Sequence, residues 1–275
     1  IKAMDSMIPG KVTLWANNGC PFARRAMITC MEKDIVGPLV EHITIPLSGH
    51  IKILEQGGLD AYPDAAEIWP GKSVADITQI KEDYKRDVNP TGEVPTLQIS
   101  GETVFEADVI SEFLEDRFPH QGTSLMPVNP VARAKVRHLI KLMNGPTMVS
   151  AMYGCLMNQD PSKDSAIRDK LYKGLQSFVQ LSSDGGPYFL GAEFSLADVL
   201  LMPMYDQFRF TLPHYRGVEF IPQNTTEYPW AAKLNSWAAA VQERESFVGF
   251  SRGEEYYIKA YAGYAGARGV ATFGA

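Results

Sequence analysis

The chain has 275 residues, 45% hydrophobic and 21% charged, with 26 Lys+Arg against 32 Asp+Glu for a formal net charge of −6. This composition excludes a disordered, collagen-like or coiled-coil protein, leaves no basic footprint for nucleic acid, and provides chain enough for roughly two domains. Three cysteines are too few for a disulfide scaffold, and the odd count points to a reducing compartment. Apolar runs break well short of the roughly 20 residues a bilayer needs. No secretory signal pattern opens the chain, so an intracellular location is expected: cytoplasmic, or plastid or mitochondrial if a transit peptide has been removed.

Lys11 to Ala16 is a short run of β-formers ended by Asn17-Asn18-Gly19, a strand and a turn. Cys20-Pro21 follows, and Pro21 suits the first position of a helix, where its missing N–H has no partner to lose. Phe22, Ala26, Met27, Cys30 and Met31 then recur at helical spacing to about Lys33. Val40 to Ile45 reads as a second strand, completing a βαβ unit. Residues 46–86 form a less regular excursion holding Gly57-Gly58, Pro63 and Trp69-Pro70-Gly71, with a helix from Ser73 to Arg86. A strand from Val94 to Ile99, a turn at Gly101 and a strand from Thr103 to Phe105 make a hairpin, and a helix runs from about Ala107 to Arg117. Residues 119–129 are proline-punctuated and read as a linker. Beyond them everything is helical: Val136, Leu139, Ile140 and Met143, then Leu196, Val199 and Leu200 behind Ser195, then Trp230, Leu234, Trp237 and Val241. Tyr256 to Ala275, rich in Ala, Gly and Tyr, reads as a tail. The expected organisation is residues 1–118 as an α/β domain with the inserted excursion, 130–250 as an all-α helical domain, and 251–275 as a C-terminal tail.

Three clusters carry chemistry. Cys20-Pro21-Phe22-Ala23 lies between a strand and a helix start, so a Cys20 thiolate faces the free amides of Phe22 and Ala23, the helix dipole, and the charges of Arg24 and Arg25. A lowered pKa is expected. Val94-Pro95 opens a strand where a trans proline fits poorly, and a cis bond would leave the backbone of Val94 free for a ligand. Glu106-Ala107-Asp108 stands at a helix start, where the Ala107 amide can take a carboxylate and Glu106 an ammonium, the two charges of an α-amino acid head. The five histidines show no metal-ligand spacing, so no metal is expected.

In this order, the clusters resemble a cytosolic-type glutathione transferase, and Cys20-Pro21-Phe22-Ala23 followed by Arg25 is most similar to its omega class. Asn89-Pro90-x-Gly92-x-Val94-Pro95 resembles the glutathione-clamping segment of the family. Ser195-Leu196-Ala197-Asp198 resembles a helix start in its C-terminal domain, physically a capping box with Asp in place of Glu. The resemblance spans about Lys11 to Gln242. It implies a thioredoxin-like first domain with a mixed four-stranded sheet, and glutathione as co-substrate rather than a metal cofactor. It implies that Cys20 forms a mixed disulfide with glutathione, that Phe22, Val94, Pro95, Glu106 and Ala107 bind it, and that Tyr205 and Phe208 line a second-substrate pocket. The implied activity is thiol transfer or reduction, dehydroascorbate included, on an unidentified electrophile or disulfide, by a family that is usually dimeric. Three departures stand out. Ala107 replaces the usual Ser, the excursion is long and leaves Lys72, Lys81 and Lys85 as candidates for the glycyl end, and the tail has no counterpart. These departures suit an alternative: a non-catalytic subunit of the same fold that docks a protein partner through 46–86 or 251–275.

Overall fold

A computed structural model describes residues 12–58 and 65–266. Lys11, Pro63 and the end of the tail from 267 lie outside them. Two compact units divide between Thr123 and Ser124.

The first unit is built on strand β1 (Val12–Ala16), whose Val12, Leu14 and Ala16 are buried and whose Thr13 and Trp15 alternate to the other face. Strand β2 (Val40–Thr44) pairs parallel to it, Val12 opposite Val40, and helix α1 (Pro21–Glu32) makes the crossover. Strand β3 (Thr96–Ile99) lies antiparallel on the other side of β1, and β4 (Glu102–Val104) pairs with β3 to give the order β2-β1-β3-β4. This is the mixed four-stranded sheet of a thioredoxin-like domain. The β3–β4 hairpin turns on Ser100 and Gly101, both at positive φ (51° and 85°), as a two-residue turn matched to strand twist requires.

Helix α5 (Ala107–Arg117) packs against α1. At the far end of that pair Lys33 Nζ meets Glu115 Oε2 at 2.7 Å and donates to the carbonyl of Thr123, while the Thr123 N–H returns to Glu32 O. The excursion is more regular than its sequence suggests. Helices α2 (Ser48–Gly57), α3 (Ala65–Ile68) and α4 (Val74–Asp87) enclose their own small core of Ile51, Leu54, Trp69 and Ile77. Ser73 caps α4 in a reciprocal box with Asp76.

The second unit is all helical: α6 (Pro130–Asn144), α7 (Val149–Met157), α8 (Asp164–Leu181), α9 (Leu196–Arg216), α10 (Ala231–Gln242), α11 (Glu245–Val248) and α12 (Gly253–Ala265). Helix α9 is buried along almost its whole length, as a helix at the centre of a bundle must be. It carries polar groups inward, and these explain the last helix. Asp206 accepts hydrogen bonds from the hydroxyls of Ser251 and Tyr257, Gln207 Oε1 accepts from Tyr261, and Arg216 donates to the carbonyl of Ala265.

The expectation of a tail from 251 therefore fails over 253–265. Tyr257, Tyr261 and Ala265 fall at i, i+4 and i+8, a helical stripe that a composition of Ala, Gly and Tyr conceals. No helix among the described residues is long and apolar enough to cross a membrane.

Candidate active site

Asn17 sets up Cys20. Its Oδ1 accepts from the Gly19 N–H at 2.8 Å, its Nδ2 donates to Ile45 O at the end of β2, and its own carbonyl accepts from the Cys20 N–H at 3.0 Å. This Asx-type turn ends β1 and delivers Cys20 as the N-cap of α1, with extended backbone (φ −95°, ψ 120°) and Pro21 at the first helical position. The half-buried thiol donates to the carbonyl of Val94, Sγ to O 3.8 Å.

The Val94–Pro95 bond is cis. The loop ahead of it is braced by the side chains its sequence supplies. Asn89 Nδ2 donates to Glu93 O and Thr96 Oγ1, Asn89 Oδ1 accepts from the Thr91 N–H and hydroxyl, and the Tyr84 hydroxyl bonds Glu93 O and Thr96 Oγ1. Lys81 Nζ reaches the Gly92 carbonyl. Of the three lysines left open by the sequence, Lys81 alone is buried, and its charge acts on Cys20. Lys72 is exposed, and Lys85 pairs with Glu82 at the surface. The signal was in the sequence: Ile77, Lys81 and Tyr84, at i, i+4 and i+7, share the inward face of α4.

The expected lowering of the Cys20 pKa is not what the structure gives. Burial pushes the thiol up. The amides of Ala23 and Phe22 and the charges of Arg24 and Arg25 pull it down, and burial prevails. Thiolate is then the minor form at neutral pH. Alkylation of Cys20 by iodoacetamide in the ligand-free protein is expected to quicken about tenfold per pH unit from pH 7, with no plateau below about pH 9. A plateau near pH 6 would show the helix terminus winning instead. Cys30 is buried, with its thiol pushed up to about 12, and is no alternative nucleophile.

Glu106 is exposed, caps α5 and sits at φ +67°, ψ 125°, a conformation that side-chain-bearing residues rarely adopt. Such strain persists where surrounding structure imposes it, and it clusters at ligand sites. Here it turns the chain from β4 into α5, whose first residue, Ala107, is buried. Glu106→Gly is expected to raise stability by about 1 kcal/mol in urea denaturation while weakening any ammonium ligand. Loss of stability would mean that the Glu106 side chain anchors the turn.

Phe22 is half-buried at the start of α1, under the Arg25 guanidinium at 5.0 Å. Tyr205 and Phe208 lie in the interior of the second unit. The Tyr205 ring contacts Trp237, Phe220 and Phe247, and the Phe208 ring contacts Tyr153 and Phe220. The structure thus brings Cys20, Val94, Pro95 and Lys81 together.

A thioredoxin-like sheet with a cysteine at the first helix start, a cis-proline loop against it and a following all-helical unit defines a class, and the comparisons name it. The family model described as glutathione S-transferase, N-terminal domain, matches residues 19–117. Glutathione S-transferase L3 of Arabidopsis thaliana is 27% identical over 246 residues, covering 88% of this chain and 83% of the relative. A stringent starvation protein A homolog of Pasteurella multocida is 30% identical over 181 residues, 64% of this chain and 74% of the relative. Among solved structures, glutathione transferase Omega 3C from Trametes versicolor matches with a TM-score of 0.68 at 26% identity, over 96% of this chain and 94% of that one. The chain belongs to the glutathione transferase superfamily.

Proposed function

We propose that this protein is an omega-like, glutathione-dependent thiol transferase working through a single cysteine, Cys20. The observation that carries the reading is the pairing of Cys20, at the N-terminus of α1, with the carbonyl of Val94 ahead of cis-Pro95. In this reading the Cys20 thiolate attacks the glutathionyl sulfur of a mixed disulfide. The Cys20–glutathione disulfide forms as the old S–S bond breaks, and the other thiolate leaves and takes a proton from solvent. The thiolate of a free glutathione then attacks the same glutathionyl sulfur, releasing glutathione disulfide and restoring Cys20.

A second protein thiol plays no part. Ala23 stands where a dithiol pair would have its other cysteine, Cys30 lies buried about 15 Å of helix rise away, and Cys155 is buried in the second unit. Val94 pairs with the cysteinyl backbone of glutathione, Phe22 and Pro95 line its place, Lys81 meets the glycyl carboxylate, and Glu106 with the amide of Ala107 holds the γ-glutamyl head. Dehydroascorbate reduction uses the same nucleophile.

The test is glutathione-dependent reduction of a small mixed disulfide, wild type beside Cys20→Ser, with intact-mass measurement of the adduct. Turnover and a glutathione adduct are expected from the wild type alone. Folded protein that gives neither would favour a non-catalytic subunit. Ala107→Ser offers a gain of function. Restoring a hydroxyl donor at the γ-glutamyl carboxylate adds about 1 kcal/mol, so calorimetry is expected to show glutathione bound about five times more tightly. Unchanged affinity would move the γ-glutamyl head elsewhere.

A further inference from the structure

The second unit brings two ammonium groups to one residue. Ser183 follows α8, in the glycine-rich turn Ser182-Ser183-Asp184-Gly185-Gly186. Lys135 of α6 donates from Nζ to its Oγ at 2.8 Å. Lys233 of α10 donates from Nζ to its carbonyl at 3.0 Å and to Gly186 O at 2.6 Å. Both lysines are half-buried, and neither pairs with a carboxylate among the described residues. Burial and the Lys135 charge press the Lys233 ammonium below the usual lysine range, while Asp198 and Asp184 lift it. Asp198 spends both its oxygens on four other donors, and Asp184 is exposed and forms no ion pair with either lysine.

Donors are left over. An ammonium has three N–H groups, of which Lys135 uses one and Lys233 two. The Ser183 oxygen accepts from Lys135, and its own proton meets no acceptor among the described residues. The N–H groups of Asp184, Gly185 and Gly186 also donate to none of the described residues, and Gly185 stands at φ +87°. Lys233 alone is enough to hold the turn by its carbonyls. Lys135 adds a second positive charge at a hydroxyl that needs none.

We propose that Lys135, Lys233 and Ser183 form a binding site for a phosphate dianion, free or carried as a monoester. The site is independent of Cys20 and of the glutathione reading. Phosphate presents its oxygens in tetrahedral directions, so it can take the N–H groups left on both ammoniums and the Ser183 proton together. A carboxylate, with two oxygens in one plane, meets fewer of them. The dianion also offsets the repulsion between the lysines, and unengaged amides in a glycine-rich turn are the donors that line phosphate loops. Asp184 acts the other way, and its exposure to solvent screens it. Bound there, the anion ties α6, the turn after α8 and α10 to one another.

The experiment is lysine acetylation by an N-hydroxysuccinimide ester in phosphate or in chloride at matched ionic strength and pH, read by peptide mass spectrometry. Phosphate is expected to slow Lys135 and Lys233 at least about threefold and to leave the exposed Lys170 and Lys173 unchanged. Calorimetry with inorganic phosphate then compares wild type with Lys135→Gln, which can still donate to Ser183 Oγ but carries no charge, and with Lys135→Arg. Lys135→Gln is expected to bind about tenfold more weakly, and Lys135→Arg to retain affinity. Phenyl phosphate separates the two sources: protection of the same lysines at lower concentration than phosphate assigns the ester, and the reverse assigns the free ion. Equal slowing of all lysines, slowing of none, or slowing at Lys81 alone overturns the inference. So does wild-type affinity in Lys135→Gln.

Discussion

Cys20→Ser is expected to lower kcat/KM for a glutathionyl mixed disulfide by at least about a thousandfold, roughly 4 kcal/mol of transition-state stabilisation. The size follows from the chemistry. Thiol–disulfide exchange needs a nucleophile that both attacks a sulfur and leaves it again. A serine hydroxyl is not appreciably ionised at neutral pH, and it gives no disulfide for glutathione to resolve. The fold should be untouched, because Cys20 caps α1 without a side-chain cap bond and is only half-buried. Denaturation midpoints of the two proteins should therefore agree. Cys30→Ala is the companion variant, and it keeps the activity if the mechanism is monothiol. Activity surviving in Cys20→Ser and lost in Cys30→Ala would overturn the assignment.

The largest expected effect on stability is at Asp198, far along the chain from Cys20. Its carboxylate is fully buried and accepts four hydrogen bonds. Oδ1 takes the Phe189 N–H at 3.0 Å and Trp237 Nε1 at 3.1 Å, and Oδ2 takes the N–H and hydroxyl of Ser195, both at 2.8 Å. One side chain so ties the loop before α9, the start of α9 and helix α10. Asp198→Ala leaves buried donors with no acceptor and is expected to cost about 3 to 4 kcal/mol in urea denaturation. Asp198→Asn offers one acceptor oxygen and turns an NH₂ towards the Ser195 donors, so it should cost nearly as much.

A pH series identifies the cause. Burial pushes the Asp198 carboxyl up to about 6, with the four donors pulling it back. The folded chain therefore takes up this proton more readily than the unfolded chain. The Asp198 contribution to stability falls as pH rises from about 4 to about 6 and is level above. The difference between wild type and Asp198→Asn should show that slope. A pH-independent difference would mean that packing rather than charge sets the cost.

Much of the first unit was legible in the sequence because each feature was local. Pro21 after a turn of Asn and Gly fixed a helix start, alternation in Val12–Ala16 fixed a strand, and Val94-Pro95 signalled its cis bond. What escaped depended on distant partners. The pKa of Cys20 depends on its burial in the folded unit, and no local spacing reports that. The choice among three lysines turned on a face of α4 that becomes inward only when Tyr84 finds Thr96 and Glu93. Helix α12 was hidden for a similar reason. Its tyrosines look amphipathic in sequence, and their inward direction is set by Asp206 and Gln207 of α9.

That last dependence has a consequence for synthesis. Polar groups at the middle of α9 find hydroxyl partners 51 and 54 residues later, in the last helix of the described residues. While the ribosome is still making α10 and α11, Asp206 has Arg209 and Gln207 has Tyr153, but the hydroxyls of Tyr257 and Tyr261 that also bond them are not yet in place, and burying the lone pairs those hydroxyls cover would cost more than leaving them wet. This side of α9 is therefore expected to close only once Tyr261 has cleared the exit tunnel. A nascent chain stalled anywhere before that point presents an open bundle to the chaperones and proteases of the cell.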